Sequence, residues 1–137
     1  MPFKFEKLEL WELALCYIDR IYEIGEQLPR SEDFNLKSQI QRAATSIALN
    51  IAEGSTGQTD TEQGRFIGLA LRSLVESVAC IHLIRRRGYL PDSQILDQAY
   101  SQADNLAMKL QAFRKAIAPG KGWVREGQAD YATDDSL

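Results

Sequence analysis

The chain has 137 residues, 45% of them apolar and 26% charged, and its 16 Lys and Arg against 19 Asp and Glu leave a net charge of −3. That length makes one domain with a single core and no need of cross-links. The acidic balance excludes a wholesale nucleic-acid coat, which relies on many cationic contacts with phosphate, so any such role needs a local patch.

Apolar residues recurring at three- and four-residue steps predict four helices and no strand. The first runs from about Leu8 to Gln27 on a stripe of Leu8, Trp11, Leu15, Ile18 and Tyr22, until Gly25 and the Leu28-Pro29 pair end it. A connection from Leu28 to Asp33 leads to the second, about Asn35 to Glu53, whose buried face reads Leu36, Ile40, Ala43, Ile47 and Ile51. Asn50 falls at the inner edge of that face, where an amide is costly unless bonded, and a neighbouring helix is its expected partner. Glu53 reads as a structural acceptor near an interface, and Gly54 stands where a left-handed C-terminal cap belongs.

A Gly/Ser/Thr-rich link, Gly54 to Gln58, precedes Thr59-x-x-Glu62, the spacing of a capping box that starts the third and longest helix. Phe66, Leu69, Ala70, Leu74, Ser77, Ile81 and Ile84 carry its inner face to about Arg87. Gly64 and Gly68, one turn apart, each cost about 1 kcal/mol against alanine, and close approach of another helix is the expected reason. Gly88-Tyr89-Leu90-Pro91 breaks the chain, and Asp92 caps a fourth helix with a stripe of Ile95, Ala99, Ala103, Leu106, Leu110, Phe113 and Ile117. Helical patterning ends at Pro119-Gly120. The fold class expected is all-α, an antiparallel up-down-up-down four-helix bundle over residues 1–118, followed by a flexible acidic tail over 119–137. Trp123 in that tail is a candidate partner contact, and Trp11 a core or subunit contact.

The run Ser46-Ile47-Ala48-Leu49-Asn50-Ile51-Ala52-Glu53-Gly54, with Phe34 to Arg42 before it, Gly88-Tyr89-Leu90 after it and Phe5-x-x-Leu8-x-x-Trp11-x-x-Ala14 near the start, resembles a four-helix-bundle family. Its founding members are encoded by intervening sequences in bacterial 23S ribosomal RNA genes. The likeness covers roughly residues 3 to 117, and NIAEG is its most specific part. The resemblance implies a non-enzymatic bundle that assembles into homo-oligomeric rings, often pentamers, with a proposed role in binding RNA or DNA. A more distant likeness is to the accessory variability protein of diversity-generating retroelements, which assists a reverse transcriptase. Ala48 stands where the family usually has proline, so a kink in the second helix is not expected, and Arg72 stands where a small glycine is.

Charge is concentrated on the third helix, because residues 59–88 are the stretch that sums to a positive value, +2. Arg85, Arg86 and Arg87 fill its last turn, where cations meet the negative end of the helix dipole. Arg65 and Arg72 share a face at seven-residue spacing, and Lys37 and Arg42 stand available on the second helix. Repeated around a ring, such a cluster becomes a phosphate-binding surface. Aromatic residues for stacking bases are missing from the third helix apart from Phe66 on its apolar face, so backbone contact rather than base reading is expected.

His82, the only histidine, has no Cys or His at metal-ligand spacing, the Glu-x-x-His pairs of di-metal bundles are missing, and no nucleophile is matched to a base. Neither a P-loop nor a dinucleotide fingerprint is present, so no enzyme, metal or cofactor is expected. Cys16 and Cys80 read as thiols in a reducing cytoplasm, no secretory leader is recognised, and no apolar run is read as reaching the roughly 20 residues that span a bilayer. The alternative to a nucleic-acid scaffold is a protein-interaction module that meets its partner through the tail or the bundle surface.

Overall fold

The computed structural model describes residues 3–57 and 59–118. The tail over 119–137 and Trp123 lie outside the described residues. Four helices form in the expected order: α1 (Glu9–Glu26), α2 (Leu36–Gly54), α3 (Asp60–Arg87) and α4 (Gln94–Ala116). Short 3-10 turns at Lys4–Lys7 and Arg30–Glu32 precede α1 and α2.

Each helix packs on the next, and α4 closes the square against α1. Cross-contacts fix the antiparallel directions: Lys37 pairs with Glu26, Ser46 with Ser73, Arg85 with Asp97, and Lys109 with Glu9. The local signals work as chemistry. Thr59 Oγ1 accepts from the Glu62 N–H at 3.1 Å to start α3, and Gly88 ends it at φ 68°, a left-handed position that costs glycine nothing. Asp92 accepts from the Gln94 N–H at 2.9 Å from just outside α4, while Ser93 holds the cap position itself. As expected from Ala48, α2 runs as one unbroken helix.

The core is a column of Ile and Leu from all four helices, including Ile21, Ile47, Leu74, Ile81, Leu106 and Leu110. One polar pair crosses its diagonal. Tyr17 on α1, fully buried, bonds to Ser77 Oγ on α3 at 2.7 Å, and Ser77 in turn donates to the Leu74 carbonyl at 2.7 Å. The serine's single proton is thus committed to Leu74, which leaves the phenol as donor to Ser77. Burial pushes the Tyr17 hydroxyl up to about 12.

Five expectations need correcting. The buried stripe of α1 is Leu10, Ala14, Tyr17, Ile21 and Ile24; the expected set is half-buried, with Tyr22 exposed, because the helix is apolar on two adjacent faces. Gly54 is not a left-handed cap but the last residue of α2, and a Cβ there would stand 3.1 Å from Phe66 Cβ, so the glycine lets α2 and α3 meet. Gly64 faces open space and Gly68 the Arg114 guanidinium of α4, so no other helix backbone of the same protomer comes close to either. Asn50 donates within its own helix, to the Ser46 carbonyl at 2.9 Å and to Ser46 Oγ at 3.1 Å, and it is Ser46 that reaches α3, through Ser73. Finally, α3 is long and apolar enough by length and composition to cross a bilayer, with 44% of that window buried in the bundle.

Candidate nucleic-acid interface

Antiparallel packing decides which of the expected cations share a surface. The C-terminal end of α3, the first turns of α2 and the connection between α1 and α2 meet at one end of the bundle, where Tyr89 donates to Glu32 Oε2 at 2.6 Å. Arg85, Arg86, Arg87, Lys37 and Arg42 gather at that end. Arg65 does not, because 20 residues of α-helix separate it from Arg85, about 30 Å.

The arginine triplet then divides by direction. Arg85 turns toward α4 and pairs with Asp97 at 2.8 Å. Arg87 turns the other way, where its charge acts on Glu32 and Tyr89. Arg86 points outward, and so do Arg72 and Arg65 on the same side of the helix, since steps of seven and fourteen residues drift by only about 20° per heptad. Among the described residues neither Arg72 nor Arg86 has an ion-pair partner, while Arg65 lies over the Phe66 ring at 4.6 Å. The outcome is a row of three exposed guanidiniums on α3, joined by the exposed Leu83. Lys37 and Arg42 belong to a different face, beside Tyr22 and Phe34. Lys37 is 3.7 Å from Glu26, and Arg42 donates to Ser38 Oγ at 3.1 Å.

Asn50 is tied to Ser46 as above, and the Glu53 side chain is exposed while its carbonyl accepts from Thr56 Oγ1 at 2.7 Å. Trp11 is half-buried with its ring edge-on to Phe5 at 4.6 Å, and exposed His82 stands edge-on to Tyr100. Sequence reasoning missed Glu32 and Phe34. Glu32 is a buried acid, and its carboxylate accepts from Asn35 Nδ2, the Leu36 N–H and Tyr89. Phe34 sits between Asp33 and Asn35, off any apolar period, and that isolation was the available signal.

Glu32 gives the end of the bundle a pH dependence. The Tyr89 bond, then the Leu36 N–H, hold its carboxyl below the usual value near 4.5, so its contribution is complete above 4.5 and disappears as pH falls through the lowered value. Tyr89 is held above 10.0 by the same bond, so its contribution is complete below 10.0 and is lost as pH rises through the raised value. Glu32→Gln is therefore expected to flatten the acid limb of a Tm-against-pH curve below about pH 4.5. An acid limb as steep as that of the parent would refute this role.

With the geometry in view, likeness to known proteins is informative. The model of the 23S rRNA-intervening sequence protein family matches residues 6–112. No curated protein matches the chain. Among solved structures, the fold is similar to a protein of unknown function from the S23 ribosomal protein family of Bacteroides thetaiotaomicron, at TM-score 0.71 and 21% identity, over 77% of this chain and 98% of that one. At that identity the likeness speaks for the fold alone.

Proposed function

The chain belongs to the 23S rRNA-intervening sequence protein family, and from that premise we propose that it is a non-catalytic scaffold that binds nucleic acid, or a nucleoprotein, through a basic surface repeated in a homo-oligomer. The observation that carries this reading is the row of Arg65, Arg72 and Arg86 along the outer side of α3, two of them without a counter-ion among the described residues. Guanidiniums that no carboxylate neutralises are set to bind phosphate bidentately. One row of three is a modest site, and its repetition about a ring axis, pentameric by family likeness, multiplies it.

The test is light scattering on a sizing column, with and without a mixed RNA and DNA pool, at low and moderate salt. A particle several protomers in size that shifts with nucleic acid, less so at the higher salt, is the expected result. A particle that ignores nucleic acid at low salt overturns the proposal.

A second reading is favoured by a different surface. Between α3 and α4 lies an apolar groove of about 320 Å³ bordered by Val75, Val78, Tyr100 and Ala107, with exposed Met108 nearby on α4. Such a surface suits a protein partner, as an accessory subunit of a retroelement reverse transcriptase would need. A protein that co-purifies with the parent and is lost with Val75→Asp would favour this reading over the first.

A further inference from the structure

The face carrying Lys37 and Arg42 has a chemistry that the α3 row lacks. Between the C-terminal half of α1 and the N-terminal half of α2 lies a cleft of about 490 Å³ bordered by Tyr22, Phe34, Lys37, Gln41 and Arg42. That volume is within the roughly 300–1,000 Å³ of small-ligand sites. Phe34 is 99% exposed and Tyr22 43%. A phenylalanine in water is commonplace when isolated, but this one shares a cleft with a second exposed ring.

The Phe34 ring is presented on a fixed support. Backbone bonds from Asp33 to Arg30, Asn35 to Glu32 and Gln39 to Asn35 hold the turn on both sides of it, and the Glu32 carboxylate holds the Asn35 side chain. Gly25 shapes the floor. A Cβ at that position would meet Gln41 Nε2 at 2.6 Å, so the missing side chain is what lets the Gln41 amide lie across α1. That amide has no hydrogen-bond partner among the described residues and offers both a donor and an acceptor. The charges are also suited to a ligand: Arg42 is held by a neutral hydroxyl, and Lys37 only loosely by Glu26.

Resting on the nucleic-acid reading above, we propose that this cleft holds one unstacked base of a single-stranded RNA or DNA and the phosphate beside it. The base lies against Phe34 and Tyr22, its edge meets Gln41, and the phosphate is taken by Lys37 and Arg42. Asp33, the acid of the lining, accepts from an exocyclic amine of the base. Two exposed rings beside two cations, Arg42 with no carboxylate partner among the described residues and Lys37 in an exposed pair with Glu26, are the components of single-strand sites, where every base has a face to stack. A second copy of the chain fits less well, because the lining mixes the charged Lys37, Arg42 and Asp33 and the polar Ser38, Gln41 and Thr45 with its two rings.

The experiment measures the affinity of the full chain, by fluorescence anisotropy, for a mixed-sequence single strand of about 12 nucleotides and for the matching duplex. Phe34→Ala touches no packed side chain and should weaken single-strand binding about 5- to 150-fold, the range for loss of one base stack, with duplex binding unchanged. Phe34→Tyr should restore it. An unchanged single-strand affinity in Phe34→Ala, an equal loss on duplex, or a smaller particle by light scattering each overturns the proposal, the last by assigning Phe34 to a contact between copies. Removing the α3 arginines separates the two readings. If that change abolishes binding to both strands while Phe34→Ala alters neither, this cleft is not a base site and the α3 row stands. If neither single strand nor duplex binds the parent at low salt, both readings fall.

Discussion

Truncating Tyr17 to alanine should cost the bundle about 3–5 kcal/mol, the range for removing a fully buried aromatic ring from a close-packed core. The ring is central to the core and its hydroxyl spans the diagonal from α1 to α3. Smaller changes at the same pair should rank in a way that packing alone does not predict. Ser77→Ala leaves the Tyr17 hydroxyl buried with no acceptor, a loss of about 1–3 kcal/mol. Tyr17→Phe leaves Ser77 still donating to the Leu74 carbonyl, and should cost about 1 kcal/mol. The double change removes donor and acceptor together and should cost less than the sum of the two. Urea unfolding of the four variants checks the ranking, and equal losses in the two single changes would show that the pair is not organised as described. Because the phenol is held near 12, its share of stability is complete below pH 10 and is lost as pH rises from 10 toward 12.

The second large effect concerns binding. Replacing Arg65, Arg72 and Arg86 together by glutamine should lower the steepness of log K against log salt by about 2.7 for duplex DNA, three contacts at about 0.9 each. Between 50 and 200 mM salt that is an approximately 40-fold smaller loss of affinity than the parent shows. The fold should be untouched, since all three side chains are exposed. Arg85→Gln is the internal control. It breaks an exposed pair with Asp97, worth about 0–1 kcal/mol to stability, and removes a charge that is already neutralised. A triple variant with the parent's salt slope would remove the α3 row from any phosphate contact.

Four helices, their order and most of their ends could be read from period, caps and breakers, because those are local chemistry. Thr59 and Gly88 needed no tertiary information. α1 was different. Leu8, Trp11, Leu15 and Ile18 satisfy the helical period as well as Leu10, Ala14, Tyr17 and Ile21 do, and only a partner such as Ser77, 60 residues away, decides which face turns inward. Asn50 likewise had a local solution, the Ser46 carbonyl four residues back, that competes with any bond to another helix. The site was less legible than the fold. Sequence order made Arg85, Arg86 and Arg87 one cluster, whereas the 100° turn between successive residues sends Arg85 to Asp97, Arg87 toward Glu32 and Arg86 out to solvent. Phe34 acquires meaning only when α1 and α2 frame the cleft beside it, and Glu32 only when the first connection meets the α3–α4 turn.

That meeting has a consequence for how the bundle opens. The Glu32–Tyr89 bond ties the tip of the α1–α2 hairpin to the tip of the α3–α4 hairpin at the end where neither is joined by the chain. The opposite end is already joined covalently by the link between α2 and α3. The two hairpins are thus fastened at both ends, once by peptide and once by a carboxylate. Fraying at either tip has to break that bond, so the opening of one hairpin is coupled to the other through it.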